Sequence, residues 1–392
     1  MAIRGNSSKQ QISHEEGLFL RQSYFDKAKR IVVKVGSAVL TDEHGIDSSV
    51  IANIARELSF LKNSGREVIL VSSGAVAAGK RKITIPDTVE IGLIEKQALA
   101  AIGQPSLMQS YVEAFDKYDQ SVAQVLLTHS DLRSRDRYLR VRNTILALFR
   151  FDTIPILNEN DTVAVEELRF GDNDTLAALI ANLIEADMFI CLTDVVGLYN
   201  ANPLTDSTAR PVYTVSSVTK EIEAMAGNVK SSLGTGGMQS KIRAAKIVSN
   251  GGGSSFIGPG REDSILQHLF GGEMIGTFFL PATDKIKPRK QWIGHVLHPQ
   301  GVLVLDPGAC RAIQDRYCSL LPSGIQEVRG TFGVGDAVHC VDNEGHVIAA
   351  GLINYTSADV DIIKQHHSSD IEALLGMRDC DEVINRDNLV LL

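Results

Sequence analysis

No stretch of this chain is apolar for long enough to cross a bilayer, and its first residues lack a hydrophobic segment followed by a small-residue cleavage site. These absences set aside membrane and exported proteins and lead to the expectation of a cytoplasmic one. Cysteine is scarce: five in 392 residues, widely scattered, with no C-x-x-C pair. That excludes a disulfide framework, a thiolate zinc site and a redox dithiol. Basic charge is also short, with 39 Lys and Arg against 47 Asp and Glu. A general nucleic-acid or anionic-membrane binder is thereby excluded, although a local basic cleft is not. Internal repeats and low-complexity tracts are absent, as are a Walker A sequence and a G-x-G-x-x-G following an N-terminal strand. The histidines show no catalytic or metal-site grouping. His366-His367 stands on a polar segment without a Glu or Cys partner motif and is given no role.

What is present is length and alternation. A chain of 392 residues exceeds one ordinary core, so two domains are expected. Short β-branched runs at Ile31–Val35, Val68–Val71, Val122–Leu127, Thr153–Leu157 and Met188–Leu192 read as strands. Helical spacing separates them at 51–61 (capped by Asp47 or Ser48), 93–103, 106–117, 131–150 and 175–185. Apolar strands divided by helices predict an α/β domain, a three-layer sandwich with a mostly parallel central sheet. Residues 1–28 are polar apart from Leu18, Phe19 and Leu20 and are expected to lie outside the core, either disordered or docked locally, as an extension to a domain at 29–280. A polar, proline-bounded segment at 281–299 reads as a linker. Short strands such as Gly301–Leu305 and Ala337–Val341 then predict a small β-rich domain at 300–378, with a tail at 379–392.

In an open parallel sheet, ligands gather where strands end. The first strand ends in Lys34-Val35-Gly36-Ser37; a lysine inside a two-sided sheet is costly to bury without an anionic partner. The second ends in Ser72-Ser73-Gly74-Ala75, which would also suit a plain turn and helix cap. Asn158-Glu159-Asn160-Asp161 and Gly171-Asp172-Asn173-Asp174 supply amides and carboxylates, with Asp172 or Asn173 also able to cap the helix that follows. Such a set suits an ammonium group, a magnesium ion, or both. Thr193-Asp194 leaves the strand at 188–192. Gly234-Thr235-Gly236-Gly237-Met238-Gln239-Ser240-Lys241 then combines three glycines and a lysine at a loop-to-helix junction, with Ile242, Ala245, Ile247 and Val248 resuming helical spacing. Converging backbone N–H groups and a helix N-terminus there can cradle phosphate, whereas a linker needs no such helix.

Taken together, these segments resemble the amino acid kinase family, and within it the members that phosphorylate L-glutamate. The tail resembles a PUA domain. The resemblance implies transfer of the γ-phosphoryl group of ATP, with Mg²⁺, to the glutamate side-chain carboxylate as the first step of proline biosynthesis. Proline inhibition and a homo-oligomer, dimer or tetramer, are implied as well. It further implies that Lys34 and Lys241 flank the transferred group while Asp174 orients them or holds Mg²⁺. Ser73, Asp161 and Asn173 would bind glutamate, and Lys34, Thr193, Asp194 and Thr235, Gly236, Gly237, Met238, Gln239, Ser240 and Lys241 would bind ATP. Gln239-Ser240 departs from the smaller residues common in that loop. A sister kinase for another carboxylate, carbamate or nucleotide would differ in the acceptor pocket. The PUA-like segment carries five basic against ten acidic residues, which counts against RNA binding and favours regulation or assembly.

Overall fold

The computed structural model describes residues 14–42, 45–85, 90–133, 135–164, 173–203, 205–227, 237–282, 299–316, 318–376 and 380–392. The chain divides into two compact units, Met1–Lys285 and Ile286–Leu392. The first opens with α1 (His14–Lys27), β1 (Arg30–Val35), α2 (Ser37–Leu40), β2 (Thr41–Asp42), β3 (Gly45–Ile46), α3 (Ser48–Asn63) and β4 (Glu67–Val71). It continues through α4 (Ala75–Lys82), α5 (Leu93–Asp116), β5 (Ser121–Leu127), α6 (His129–Arg133), α7 (Arg135–Arg150) and β6 (Thr153–Glu159). After α8 (Asn173–Leu183) and β7 (Met188–Thr193) come β8 (Thr214–Val215), α9 (Lys220–Met225), α10 (Met238–Asn250), β9 (Ser254–Pro259), α11 (Ile265–Phe270) and β10 (Thr277–Phe279).

Eight strands form one sheet in the order β5-β6-β4-β1-β7-β9-β10-β8. Every pairing is parallel except β9 with β10. The order runs outward from β1 to both sides, so the loops leaving β4 and β7 diverge and open a crevice at the carboxyl ends of the strands. Alternation along β1 sorts its side chains between the layers. Ile31, Val33 and Val35 join a cluster with Leu58 of α3 and Leu107 and Tyr111 of α5. Lys34 therefore falls on the opposite face, where α8 covers β1 and α10 packs on α8.

Two local devices order the helices on the α3 and α5 face of the sheet. Asp47 caps α3, accepting hydrogen bonds from the backbone N–H groups of Ser49 and Val50. Gly79 of α4 and Gly103 of α5 let those helices meet backbone to backbone. A Cβ at Gly103 would stand 1.9 Å from the carbonyl oxygen of Ala75, and one at Gly79 1.9 Å from that of Leu99. Because α4 begins directly after Ser72-Ser73-Gly74, this contact fixes the exit of β4.

Four expectations need correction. From residue 14 the N-terminal segment is a docked helix: Phe25 is 1% exposed and its ring lies 5.0 and 5.4 Å from those of Phe270 and Phe278. Within the Leu18 to Leu20 patch Phe19 is 75% exposed, while Leu18 and Leu20 are half-buried. The helices expected at 93–103 and 106–117 are one, with Pro105 inside it; buried Leu99, Leu107, Tyr111 and Phe115 hold the helix across the missing N–H. The single helix expected at 131–150 is described as α6 and α7. Residues placed in a C-terminal tail belong to the second unit's core, as the following strands show.

In that unit β11 (Gly301–Leu305), β12 (Ile325–Gly330), β13 (Ala337–Val341), β14 (Val347–Leu352) and β15 (Leu389–Leu391) form a sheet ordered β12-β11-β13-β14-β15. Its one parallel pairing is β11 with β13. Val383, Ile384 and Leu389 pack with Leu303, Val338 and Ile313 in a core of its own. Residues 283–298 of the expected linker lie outside the described residues. No helix among the described residues is long and apolar enough to cross a membrane.

Candidate active site

The carboxyl end of β1 and the N-terminal turns of α8 and α10 converge on one buried carboxylate. Asp174, in the first turn of α8, is 0% exposed, and Lys34 and Lys241 are each 5% exposed. Lys34 Nζ lies 2.5 Å from Asp174 Oδ1, and Lys241 Nζ lies 3.1 Å from Oδ2. Ser240 Oγ donates to Oδ2 at 2.8 Å, and Cys191 Sγ, on β7, donates to Oδ1 at 3.5 Å. Burial is the largest influence on this carboxyl and by itself would raise its pKa. The Lys34 and Lys241 ammonium groups and the hydrogen bonds together outweigh burial and hold it well below the usual carboxylate range. Burial, and then the Asp174 charge, push the Cys191 thiol up to about 12. A metal ion does not fit at Asp174, because each oxygen already accepts two donors and the group has no solvent access. The arrangement is suited to orienting two cations, which is one of the two roles the resemblance implied.

A second cluster joins the ends of β4 and β6 to the start of α8. Asn173 Nδ2 lies 2.8 Å from the Ser72 carbonyl oxygen, 2.8 Å from Ser73 Oγ and 2.9 Å from Asn158 Oδ1. With two N–H groups facing three acceptors, the amide nitrogen is fully committed to the protein, which leaves Asn173 its carbonyl oxygen to present to a ligand. Asn158 is fixed in turn, donating to Gln104 Oε1 at 3.1 Å and accepting from the Glu159 N–H at 2.9 Å. Ser72 Oγ is 2.9 Å from the hydroxyl of Tyr111, whose pKa burial raises. Gly74 permits the turn after Ser73 with φ +101°, a left-handed conformation that favours glycine. Asp161 is half-buried in the turn after β6.

Thr193 closes β7, buried, with its Oγ1 donating to Asp194 Oδ1 at 2.9 Å and its carbonyl oxygen accepting from the Gly260 N–H at 2.7 Å. Gly237 is the N-cap of α10, and Met238, Gln239, Ser240 and Lys241 make its first turn. Gly234, Thr235 and Gly236, like Gly171 and Asp172, lie outside the described residues. The structure thus brings Lys34, Asp174, Lys241 and Ser240 together in one group and Ser73, Asn173 and Asn158 in another; consecutive residues Asn173 and Asp174 link the two. Sequence reasoning missed Cys191, Gln104 and Tyr111. Cys191 becomes visible only through the register of β1 with β7, which places it directly beside Lys34.

Residues 29–258 match the amino acid kinase family and residues 301–375 the PUA domain. A curated relative from Desulfotalea psychrophila, named glutamate 5-kinase, is 60% identical over 95% of this chain and 99% of its own length. One of the same name from Citrifermentans bemidjiense is 46% identical over 95% of the chain and 100% of its own. Among solved structures, carbamate kinase from Giardia lamblia bound to AMP-PNP superposes with a TM-score of 0.48 at 15% identity, covering 65% of this chain and 99% of that one.

Proposed function

The chain belongs to the amino acid kinase family, and from that premise we propose that it phosphorylates the side-chain carboxylate of L-glutamate with ATP, forming L-glutamyl 5-phosphate for proline biosynthesis. The observation that carries the reading is the pair of buried lysines held on Asp174 beside the Ser73–Asn173–Asn158 cluster. A glutamate carboxylate is ionised at neutral pH and needs no general base. Its oxygen attacks the γ-phosphorus of ATP, the bond to the β,γ-bridging oxygen breaks, and ADP leaves with that electron pair. Two anions must meet in line, so the work is charge stabilisation and alignment.

In this reading Lys34 and Lys241 flank the transferring group and Asp174 fixes their separation. Ser73, Asp161 and Asn173 hold glutamate, the Asn173 carbonyl oxygen being suited to its α-ammonium group. Thr193, Asp194, Thr235, Gly236, Gly237 and the first turn of α10 hold ATP, the partial positive charge of that helix N-terminus favouring its phosphates. Mg²⁺, bound with ATP, would supply neutralisation of phosphate charge. Cytoplasmic location, inhibition by proline and a homo-oligomeric state belong to the same proposal.

Trapping the acyl phosphate with hydroxylamine tests the reading. Purified protein with ATP, Mg²⁺ and L-glutamate should yield the hydroxamate, with little from aspartate or N-acetylglutamate. Equal product from those acids, or none from glutamate, would overturn it. Added proline should move the glutamate saturation curve to higher concentration; an unmoved curve removes the inhibitory part alone.

A further inference from the structure

We infer that Cys191 and Ser240 are positioning residues that divide the Asp174 carboxylate between the two lysines, one oxygen to each. The inference rests on the phosphoryl-transfer reading above. The four donors are distributed symmetrically: Oδ1 receives Lys34 and Cys191, and Oδ2 receives Lys241 and Ser240. A carboxylate has about four lone-pair sites, so this one is filled. Lysine ammonium groups ride on flexible four-carbon stems, and the terminal torsion of an aspartate is broad. Two lysines alone would therefore leave the carboxylate plane free to turn and the ammonium groups free to draw together on one oxygen.

The two neutral donors remove that freedom because each is short and anchored to a rigid element. Cys191 is the direct register neighbour of Lys34 across the β1–β7 pairing and has one side-chain torsion. Its thiol, pushed up to about 12 by burial and then by Asp174, stays protonated and so remains a donor throughout the neutral range. Ser240 sits in the first turn of α10, one residue before Lys241. Its single proton faces two acceptors, Asp174 Oδ2 and the Gly237 carbonyl oxygen, each at 2.8 Å, and the charged acceptor is the stronger. The plane of Asp174 is thus tied to the sheet on one edge and to the end of the glycine loop on the other. Spacing between the two ammonium groups follows from that plane.

Paired substitutions separate a donor from its volume. In the hydroxamate assay Ser240→Ala should lower kcat roughly tenfold, the scale of one hydrogen bond to a charged group, and Cys191→Ala about threefold because a thiol is a weaker donor. KM for glutamate should stay near the wild-type value. Ser240→Thr and Cys191→Ser, which keep the donor, should recover most of the loss. Unchanged kcat in both alanine variants, an equal loss in the donor-retaining variants, or a change confined to glutamate KM would overturn the inference. Acid unfolding supplies a readout that needs no acceptor: removing a donor should raise the Asp174 pKa and move the acid midpoint to higher pH in the alanine variants only. Should the wild type itself give no hydroxamate, the acceptor reading fails while this titration still decides the positioning role. Unmoved midpoints would then refute it.

Discussion

Asp174→Asn is the most informative perturbation, because it deletes one charge and almost no volume at a site with no solvent access. Both lysines that face it are 95% covered, so the variant leaves two ammonium groups without their counter-charge. An asparagine also has one acceptor oxygen, so its NH₂ must confront either Lys34 or Lys241, the donors now on the two oxygens. Deleting one partner of a buried ion pair destabilises by about 3–5 kcal/mol. At about 2–4 °C per kcal/mol for a domain of 150–250 residues, Tm should fall by roughly 6–20 °C. Scanning calorimetry measures the fall, and Mg-ATP should restore more Tm to the variant than it adds to wild type, because its phosphates replace the missing negative charge. Acid titration checks the same carboxylate. Its folded pKa lies below the unfolded value near 3.8, so its contribution is present above that pH and is lost as the pH falls from there toward the folded value. In the variant that limb of the stability curve should flatten. A Tm within about 2 °C of wild type, less than 1 kcal/mol typically produces, would refute the buried-pair reasoning.

Other consequences are equally direct. Lys241→Ala should reduce kcat by about 10²–10³-fold, the scale of one preorganised charge-stabilising donor, with KM for glutamate little changed; steady-state assays over both substrates would show it. Gly103→Ala places a Cβ 1.9 Å from the Ala75 carbonyl oxygen, so α4 and α5 must separate, with glutamate KM rising and thermal stability falling together. A disulfide reagent at pH 8 should label Cys318 first, as the exposed thiol, and Cys380 more slowly, whereas Cys191, Cys310 and Cys340 react only on unfolding.

Much of the site was legible because parallel sheets put their ligand contacts at strand ends, and strand ends can be read from apolar runs. Lys34 and Ser73 were reached that way; Lys241 was reached from the glycine-rich loop before a helix, and Asn173 and Asp174 from a motif before α8 that suited an ammonium group, a magnesium ion, or both, their separate roles being implied by the family resemblance. What lay beyond sequence is distance. Nothing local says that Lys34 and Lys241 share a carboxylate, or that Ser240 turns its hydroxyl inward to it. Cys191 reads as one more apolar strand residue until its register with Lys34 is known. Gln104 and Tyr111, seven residues apart on one face of α5, read as ordinary helix positions until the β4 and β6 ends are brought against them. The docking of α1 was hidden for a related reason: it uses Tyr24, Phe25 and Arg21, the last donating to the Ile275 carbonyl oxygen at 2.6 Å, while Phe19 of the apolar patch stays exposed. Strand β15 was missed because three residues are too few to show a period.

The central claim is that the side-chain carboxylate of glutamate attacks the γ-phosphorus, and oxygen labelling tests it most directly. L-Glutamate carrying ¹⁸O in both side-chain carboxylate oxygens is turned over with Mg-ATP and hydroxylamine, and the released phosphate is examined by mass spectrometry. Hydroxylamine attacks the acyl carbon, so phosphate should depart with one ¹⁸O from the carboxylate in every turnover. Phosphate without the label would mean that water, and not the glutamate carboxylate, receives the phosphoryl group, and would contradict the account.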